Sequence, residues 1–437
     1  MEIAGPYALG IVVLGVLVLL FLGTPIGVAL GLSAFVGFSM TSGAEAAISR
    51  LGDVAYYTFL NYAFSPIILF IFMGEIIVIT GIGAHLFEAV SGWVGRIPGS
   101  LAVSSIGASG VFGAISGVST AGTLVIGELA IPEMQKRGYS NSMATGVVAA
   151  GGTLSIMIPP SVAFVLYGIA SEQSIGALFI AGAIPGVIEV ILYSIFVILH
   201  GMRHPETSSL TRVSWQDKVS SLKVLVPIAA LFFTILGSIY LGLATPSEAG
   251  ALGASGALVL AVIYRRLNLR NLILACRQTA LLVGTFLIIA VGAIFFGYYL
   301  SLTGYTDQLV TMMVNLPIPP LAVVGMICLI LIIMGCFMEI ASIIFITTPL
   351  VLPAMTALGF DPIWYGVILI VTAEMAFITP PVGLNLFVIR SIAPDVPMAD
   401  IIKGAVPFVI IDMGMIGLLM AFPMLATWLP QQMLSVS

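Results

Sequence analysis

Long apolar runs separated by short polar breaks dominate the chain, and their lengths set the first expectation. Runs of about 20 residues, enough to cross a hydrocarbon core, lie at 5–23, 25–42, 63–82, 141–170 and 175–200. A second series lies at 222–243, 247–264, 279–301, 364–392 and 405–429. Ten crossing helices are predicted. Stretches 101–135 and 322–356 are longer, 35 residues each, but carry Gly, Ser or Thr toward their middles, a pattern that suits re-entrant hairpins turning inside the membrane. Irregular backbone survives at that depth only where protein or a wet cavity satisfies its polar groups. Segments 43–62 and 83–98 mix apolar with charged positions, as helices lying in the interface do.

The two series are related. Thr24, Pro25, Pro132, Gly138, Pro159 and Pro160 recur as Thr245, Pro246, Pro353, Gly359, Pro380 and Pro381, every one displaced by 221 residues. Leu101-Ala102-Val103 recurs as Leu321-Ala322-Val323, one residue short of that spacing. The chain is therefore expected to be an all-α polytopic membrane protein built from two repeats, each with five spans and one hairpin. The first repeat covers 1–204, a polar connector 205–221, and the second repeat 222–437. Five spans per half is an odd number, so the second copy lies upside down relative to the first, the arrangement of many secondary transporters.

Composition supports a bilayer as solvent, since 60% of the 437 residues are hydrophobic and 8% are charged. Threading the 14 basic residues through the ten spans places thirteen on one side: Arg96, Lys136, Arg137, Arg203, Arg212, Lys218, Lys223, Arg265, Arg266, Arg270, Arg277, Arg390 and Lys403. Arg50 stands alone on the other. Because Lys and Arg collect in the cytoplasm, both termini are expected to face outward. The net charge of -5 implies no partner, and no basic stripe suits nucleic acid. Met1-Glu2 lacks the basic flank of a signal peptide, so the first apolar run is read as a retained helix. Cys276, Cys328 and Cys336 have neither disulfide nor zinc spacing and are read as packing residues.

Candidate chemistry concentrates in the hairpins and the segments after them. In the first hairpin Ser116, Ser119 and Thr120 supply hydroxyl oxygens of the kind a hard cation such as sodium accepts. Pro159-Pro160 and Pro380-Pro381 interrupt their spans by removing backbone donors, which frees carbonyls and half-helix ends in mid-membrane. Thr379 and Asn385 add oxygens beside the second break. Glu75, Glu128, Glu189, Glu248, Glu339, Glu374 and Asp412 lie at apparent membrane depth with no basic neighbour there; Glu339 and Glu374 are preferred as functional, while Glu75, Glu189 and Asp412 are open to a structural reading. A coupled carrier is the leading reading, with an ion channel as the alternative that re-entrant loops also permit. Neither a zinc motif nor a serine-base pair points to an enzyme.

Four segments carry a family resemblance: Ile131–Tyr139 (IPEMQKRGY), Ile158–Ser161 (IPPS), Gly335–Ser342 (GCFMEIAS) and Ile378–Val388 (ITPPVGLNLFV). Together they resemble the large membrane subunit of tripartite ATP-independent periplasmic (TRAP) transporters along nearly the whole chain. That resemblance implies sodium-driven import of an organic acid handed over by a periplasmic binding protein in the bacterial cytoplasmic membrane. It also implies a partner subunit with four membrane helices, expected here as a separate chain, and an elevator motion of a transport domain against a scaffold. Carried over by motif, one sodium site uses Ser116, Ser119 and Thr120 with Gly152, Thr153 and Pro159. The other uses Gly335, Glu339 and Ser342 with Thr372, Thr379 and Pro380. The substrate carboxylate is expected near Ser119, Thr153, Thr379 and Asn385. Glu128 departs from the family pattern, which has a small or apolar residue at that hairpin position. A stand-alone sodium- or proton-coupled carboxylate carrier of similar architecture is the close alternative.

Overall fold

A computed structural model describes residues 5–95, 97–203 and 215–434. The connector residues 205–214, with Arg212, and also Arg96 and both extreme termini lie outside the described residues. Among the described residues every regular element is helical. In chain order the first half gives α1 (Gly5–Phe21), α2 (Ile26–Ser42), α3 (Ala44–Leu60), α4 (Ser65–Ile79), α5 (Ile82–Val94), α6 (Ser100–Ser116), α7 (Ser119–Lys136), α8 (Asn141–Met157), α9 (Val162–Ser171) and α10 (Ile175–Arg203). The second half gives α11 (Trp215–Tyr240), α12 (Pro246–Ile263), α13 (Leu269–Leu302), α14 (Tyr305–Val314), α15 (Pro320–Gly335), α16 (Ile340–Ala357), α17 (Pro362–Phe377), α18 (Leu384–Ile392), α19 (Met398–Ala421) and α20 (Met424–Leu434).

Local chemistry explains several of these boundaries. Gly138 and Gly359, 221 residues apart, both adopt left-handed backbone (φ 82° and 86°), which turns the chain out of α7 and α16. Two residues later Ser140 and Asp361 cap the next helices: the Ser140 hydroxyl accepts from the Met143 N–H at 3.2 Å, and the Asp361 carboxylate accepts from the Ile363 N–H at 2.7 Å. The halves differ at one joint. In the first, Asn61 caps a short 3-10 turn by accepting the Ala63 N–H at 2.9 Å, Pro66 opens α4, and α3 and α4 stay separate. The residues 221 positions later are Leu282 and Leu287, so nothing interrupts the ladder and α13 runs for 34 residues.

The ten expected crossings resolve into a shorter count by length. Among the described residues seven helices are long and apolar enough to span, or eight if α8 and α9, bent by 44°, form one broken span. The segments read as spans at 5–23 and 25–42 are helices of 17 residues, about 25 Å at 1.5 Å per residue and thus near the lower limit for a bilayer. Segment 364–392 divides into α17 and α18 of 16 and 9 residues. Conversely α16, read as a hairpin arm, is itself 18 residues of apolar helix. The span expected at 279–301 begins ten residues earlier. The one expected at 405–429 is α19, which starts at Met398 and ends before Pro423, a residue with no N–H to continue the ladder.

Packing joins the halves intimately. α2 lies along α13 and α4 along α12, while α8 is held between α6, α7 and α19. Glycines permit the closest crossings: a β-carbon on Gly146 would strike the Gly404 backbone where α8 meets α19, and one on Gly27 would lie 2.6 Å from the Ile288 carbonyl where α2 meets α13. Outward faces carry Leu14, Leu17, Phe21, Leu252, Leu281 and Ile288 in exposed positions, the surface that a multi-pass membrane protein presents to lipid tails.

Candidate functional site

Two helical hairpins and two broken helices form the centre of the molecule. The first hairpin pairs α6 with α7 through Gly117 (φ 63°) and Val118, and the second pairs α15 with α16 through 336–339. Each hairpin tip meets the break of its own half. A β-carbon on Gly117 would lie 3.2 Å from the Val162 nitrogen and 3.3 Å from the Pro160 carbonyl. The Cys336 thiol lies 3.6 Å from both the Thr379 and Pro380 carbonyl oxygens. Both Pro-Pro bonds are cis. The outer pieces of the broken helices then cross over, with α9 packing on α16 of the second hairpin and α18 on α7 of the first.

That exchange brings Asn385 to the first hairpin. Its amide donates to Ser119 Oγ at 2.8 Å and to the Ala149 carbonyl at 3.2 Å, and Ser119 Oγ lies 3.2 Å from Asn385 Oδ1. Of the four residues expected around a carboxylate, Ser119 and Asn385 are thus bonded to one another. Thr153 donates to the Ala150 carbonyl of its own helix at 2.6 Å, as Thr372 does to Ile368 at 2.7 Å, and Thr379, just past α17, donates back to the Met375 carbonyl at 2.6 Å. Gly152 stands against the Thr123 hydroxyl, and a β-carbon there would come within 3.2 Å of the Asn385 amide. Pro159 is buried, whereas Thr120 and Pro380 are half-buried.

Around the first hairpin the hydroxyls of Ser109, Ser116, Thr123, Ser155 and Ser161 are buried and have no hydrogen-bond partner among the described residues. Buried hydroxyls are ordinarily paired, so a group of five on one hairpin and its broken helix is an oxygen-rich lining that a cation can satisfy. Thr123, Ser155 and Ser161 add to the residues expected from sequence. Their signal was the small-residue composition around them, which reads equally well as close packing.

In the second hairpin Gly335 packs on Ala376 of α17 and Ser342 is buried in α16. Glu339 occupies the N-cap position of α16, half-buried, without a side-chain bond to the helix end. Glu374, in α17, is fully buried with both carboxyl oxygens unpartnered among the described residues.

The remaining acidic residues divide clearly. Glu189 and Asp412, open to a structural reading, meet on a residue that sequence reasoning passed over. The Tyr193 hydroxyl lies 3.1 Å from Glu189 and 2.5 Å from Asp412, all three fully buried. Glu189 and Tyr193 stand four apart on one helix, a spacing that places both on the same face. Glu248 is a helix cap at the start of α12: its carboxylate accepts from the Thr245 N–H and hydroxyl at 2.8 Å each, while Thr245 Oγ1 accepts the Glu248 N–H. Glu128 is exposed on α7.

Comparisons with known proteins agree with this architecture. The chain is 32% identical over 396 residues to the C4-dicarboxylate TRAP transporter large permease protein DctM of Pseudomonas aeruginosa, covering 90% of this chain and 89% of that one. It is 30% identical over 431 residues to the sialic acid TRAP transporter large permease protein SiaM of Vibrio cholerae, covering 96% and 97%. The crystal structure of the Alcanivorax borkumensis YdaH transporter shares the fold, with a TM-score of 0.60 at 13% identity over 87% of this chain and 89% of that chain. The family described as the tripartite ATP-independent periplasmic transporter, DctM component, matches residues 13–425. The chain belongs to that family, the large membrane component of TRAP transporters.

Proposed function

We propose that the protein imports an organic acid by sodium-coupled secondary transport, taking the substrate from a periplasmic binding protein and working with a small four-helix membrane subunit. The observation that carries the sodium assignment is the set of unpartnered buried hydroxyls at the first hairpin and its broken helix. Ser116, Ser119 and Thr123 with Gly152, Ser155 and Pro159 would hold one ion through hydroxyl and carbonyl oxygens, the donor set that suits a hard cation. Gly335, Glu339 and Ser342 with Thr372, Thr379 and Pro380 would hold another. A carboxylate substrate is the class named for the Pseudomonas and Vibrio relatives. It would bind between the hairpin tips by displacing the Ser119–Asn385 hydrogen bonds, which would free an amide and a hydroxyl to donate to it. An elevator movement is consistent with hairpins and broken helices that interlock with one another.

The proton-coupled or binding-protein-independent alternative predicts different requirements. Reconstituted vesicles holding this chain and its small subunit, given labelled organic acid and its binding protein, should accumulate substrate with an inward sodium gradient and fail with potassium in its place. An inside-negative voltage should increase uptake, since each net charge moved gains about 2.3 kcal/mol per 100 mV. Equal uptake without sodium would refute the coupling, and equal uptake without binding protein would refute the tripartite delivery. With Ser119→Ala or Thr379→Ala, sodium half-saturation should rise about fivefold, the size of a lost ligand contact of roughly 1 kcal/mol. Unchanged sodium activation in both would remove those residues from the sites.

A further inference from the structure

Arg50, isolated from the other basic residues, faces a cavity of about 540 Å³. Polar groups from five places border that cavity: Arg50 and Asp53 on α3, Asn61 after it, Glu172 after α9, Ser301 on α13 and Thr306 on α14. Phe64 and Phe345, stacked at 6.4 Å between centroids, line it too, and Phe345 lies on α16, the second arm of the second hairpin. The cleft therefore lies between α3 and α13 on one side and the crossed pair α9 and α16 on the other. A neighbouring cavity of about 520 Å³ shares Arg50, Asp53, Tyr298 and Ser301, which places Arg50 at the wall between the two.

The state of the guanidinium is informative. Its carbon sits 3.8 Å from the centroid of the Tyr298 ring, and among the described residues it makes no ion pair or hydrogen bond. Arg137, by contrast, bonds Glu133 at 3.0 Å, and Arg390 donates to the Val396 carbonyl. Stacking on an aromatic face fixes the plane of the guanidinium while leaving its edge N–H groups free. A half-buried, oriented fork of donors facing a cavity matches the planar geometry of a carboxylate.

We propose that Arg50 is the carboxylate-docking group of a vestibule through which the organic acid passes on its way to the hairpins. The direction of passage rests on the import reading above; recognition of a carboxylate does not. Asp53 and Glu172 line the same space without pairing with Arg50, and their repulsion keeps the hold weak, as a waypoint that must release its cargo requires. Tyr298 acts as the positioning residue by holding the guanidinium plane.

Arginine modification tests this directly. Purified protein is treated with phenylglyoxal, and labelling at each arginine is read by peptide mass spectrometry with succinate or its uncharged analogue succinamide present. Succinate should slow labelling at Arg50 saturably, by about threefold or more, as occupancy of a bidentate partner would. Arg265 and Arg266 should be unaffected, succinamide should not protect, and Asp53→Asn should lower the succinate concentration needed. Labelling at Arg50 that ignores succinate, or equal protection by succinamide, would overturn the proposal. In vesicles, Arg50→Gln should raise the substrate KM about fivefold with the maximal rate retained, and Arg50→Lys should recover part of the loss. An unchanged KM in Arg50→Gln likewise overturns it. Failure of sodium coupling would leave the labelling result intact, so the two readings fail separately.

Discussion

The two hairpins stand at matching places in the two halves but are packed in opposite ways. Fourteen of the 17 residues of α6 are buried, against six of the 16 in α15. α6 and α7 press small residues onto α8, where Gly113 and Gly122 both abut Ser155 and Gly152 abuts Thr123. In α15 the outward positions are Leu321, Met326, Leu329, Ile330 and Ile333, all exposed. A helix that must approach three neighbours needs small side chains; one that faces lipid along a side needs large apolar ones and gains nothing from closeness there. The same supersecondary plan thus yields an enclosed, hydroxyl-lined hairpin and a peripheral, aliphatic one.

The polar tether between halves is equally lopsided. Asn385 of α18 bonds the first hairpin, while the residue 221 positions earlier, at the same point of α9, is Phe164. The Thr-Pro pair that opens α2 and α12 differs too, because Glu248 completes a capping box in the second half where Gly27 stands in the first.

Breaking the enclosed hairpin should have the largest effect. Gly152→Val would push a side chain into Thr123 and Asn385, and a loss of about 3 kcal/mol, or of folded protein altogether, is expected. Gly325→Val on α15, where a β-carbon meets nothing within 4 Å, should leave thermal unfolding in detergent close to wild type. Similar melting of the two variants would erase the contrast. Asn385→Leu comes next, at about 2 kcal/mol, because Ser119 and the Ala149 carbonyl lose their buried donor; unaltered unfolding would mean the tether is idle. Thr245→Ala should cost about 1 kcal/mol by removing the capping box, whereas Thr24→Ala should be silent, and equal shifts would contradict the asymmetry of the caps. Smallest of all, Leu329→Ala on the outer face of α15 should change stability by less than about 0.5 kcal/mol. A larger loss would show that this face is packed rather than lipid-exposed.

Much of this architecture was readable from the residues in order. α8 and α17 begin 221 residues apart, at the spacing of the sequence motifs, and a Pro-Pro pair follows each. Asn61 and Pro66 held the signal for separating α3 from α4, and the Thr245-to-Glu248 spacing held the signal for a cap. Less was readable in the site. Ser119 and Asn385 are 266 residues apart, as are no local signals, and the Tyr193 hydroxyl that joins Glu189 to Asp412 spans 219 positions to reach the latter.

Sequence alone determined several of the points where helices are capped, turn and break, since those events rest on local backbone chemistry: a left-handed glycine at 138 and 359, a capping oxygen at 140 and 361, and a missing N–H at each Pro-Pro pair. Tertiary structure alone decided which side chains became partners and which hairpin became enclosed. α9 and α18 cross between halves, so contacts are set by the close packing of distant helices, and in a chain that is apolar on nearly every face, hydrophobicity by itself does not choose among them.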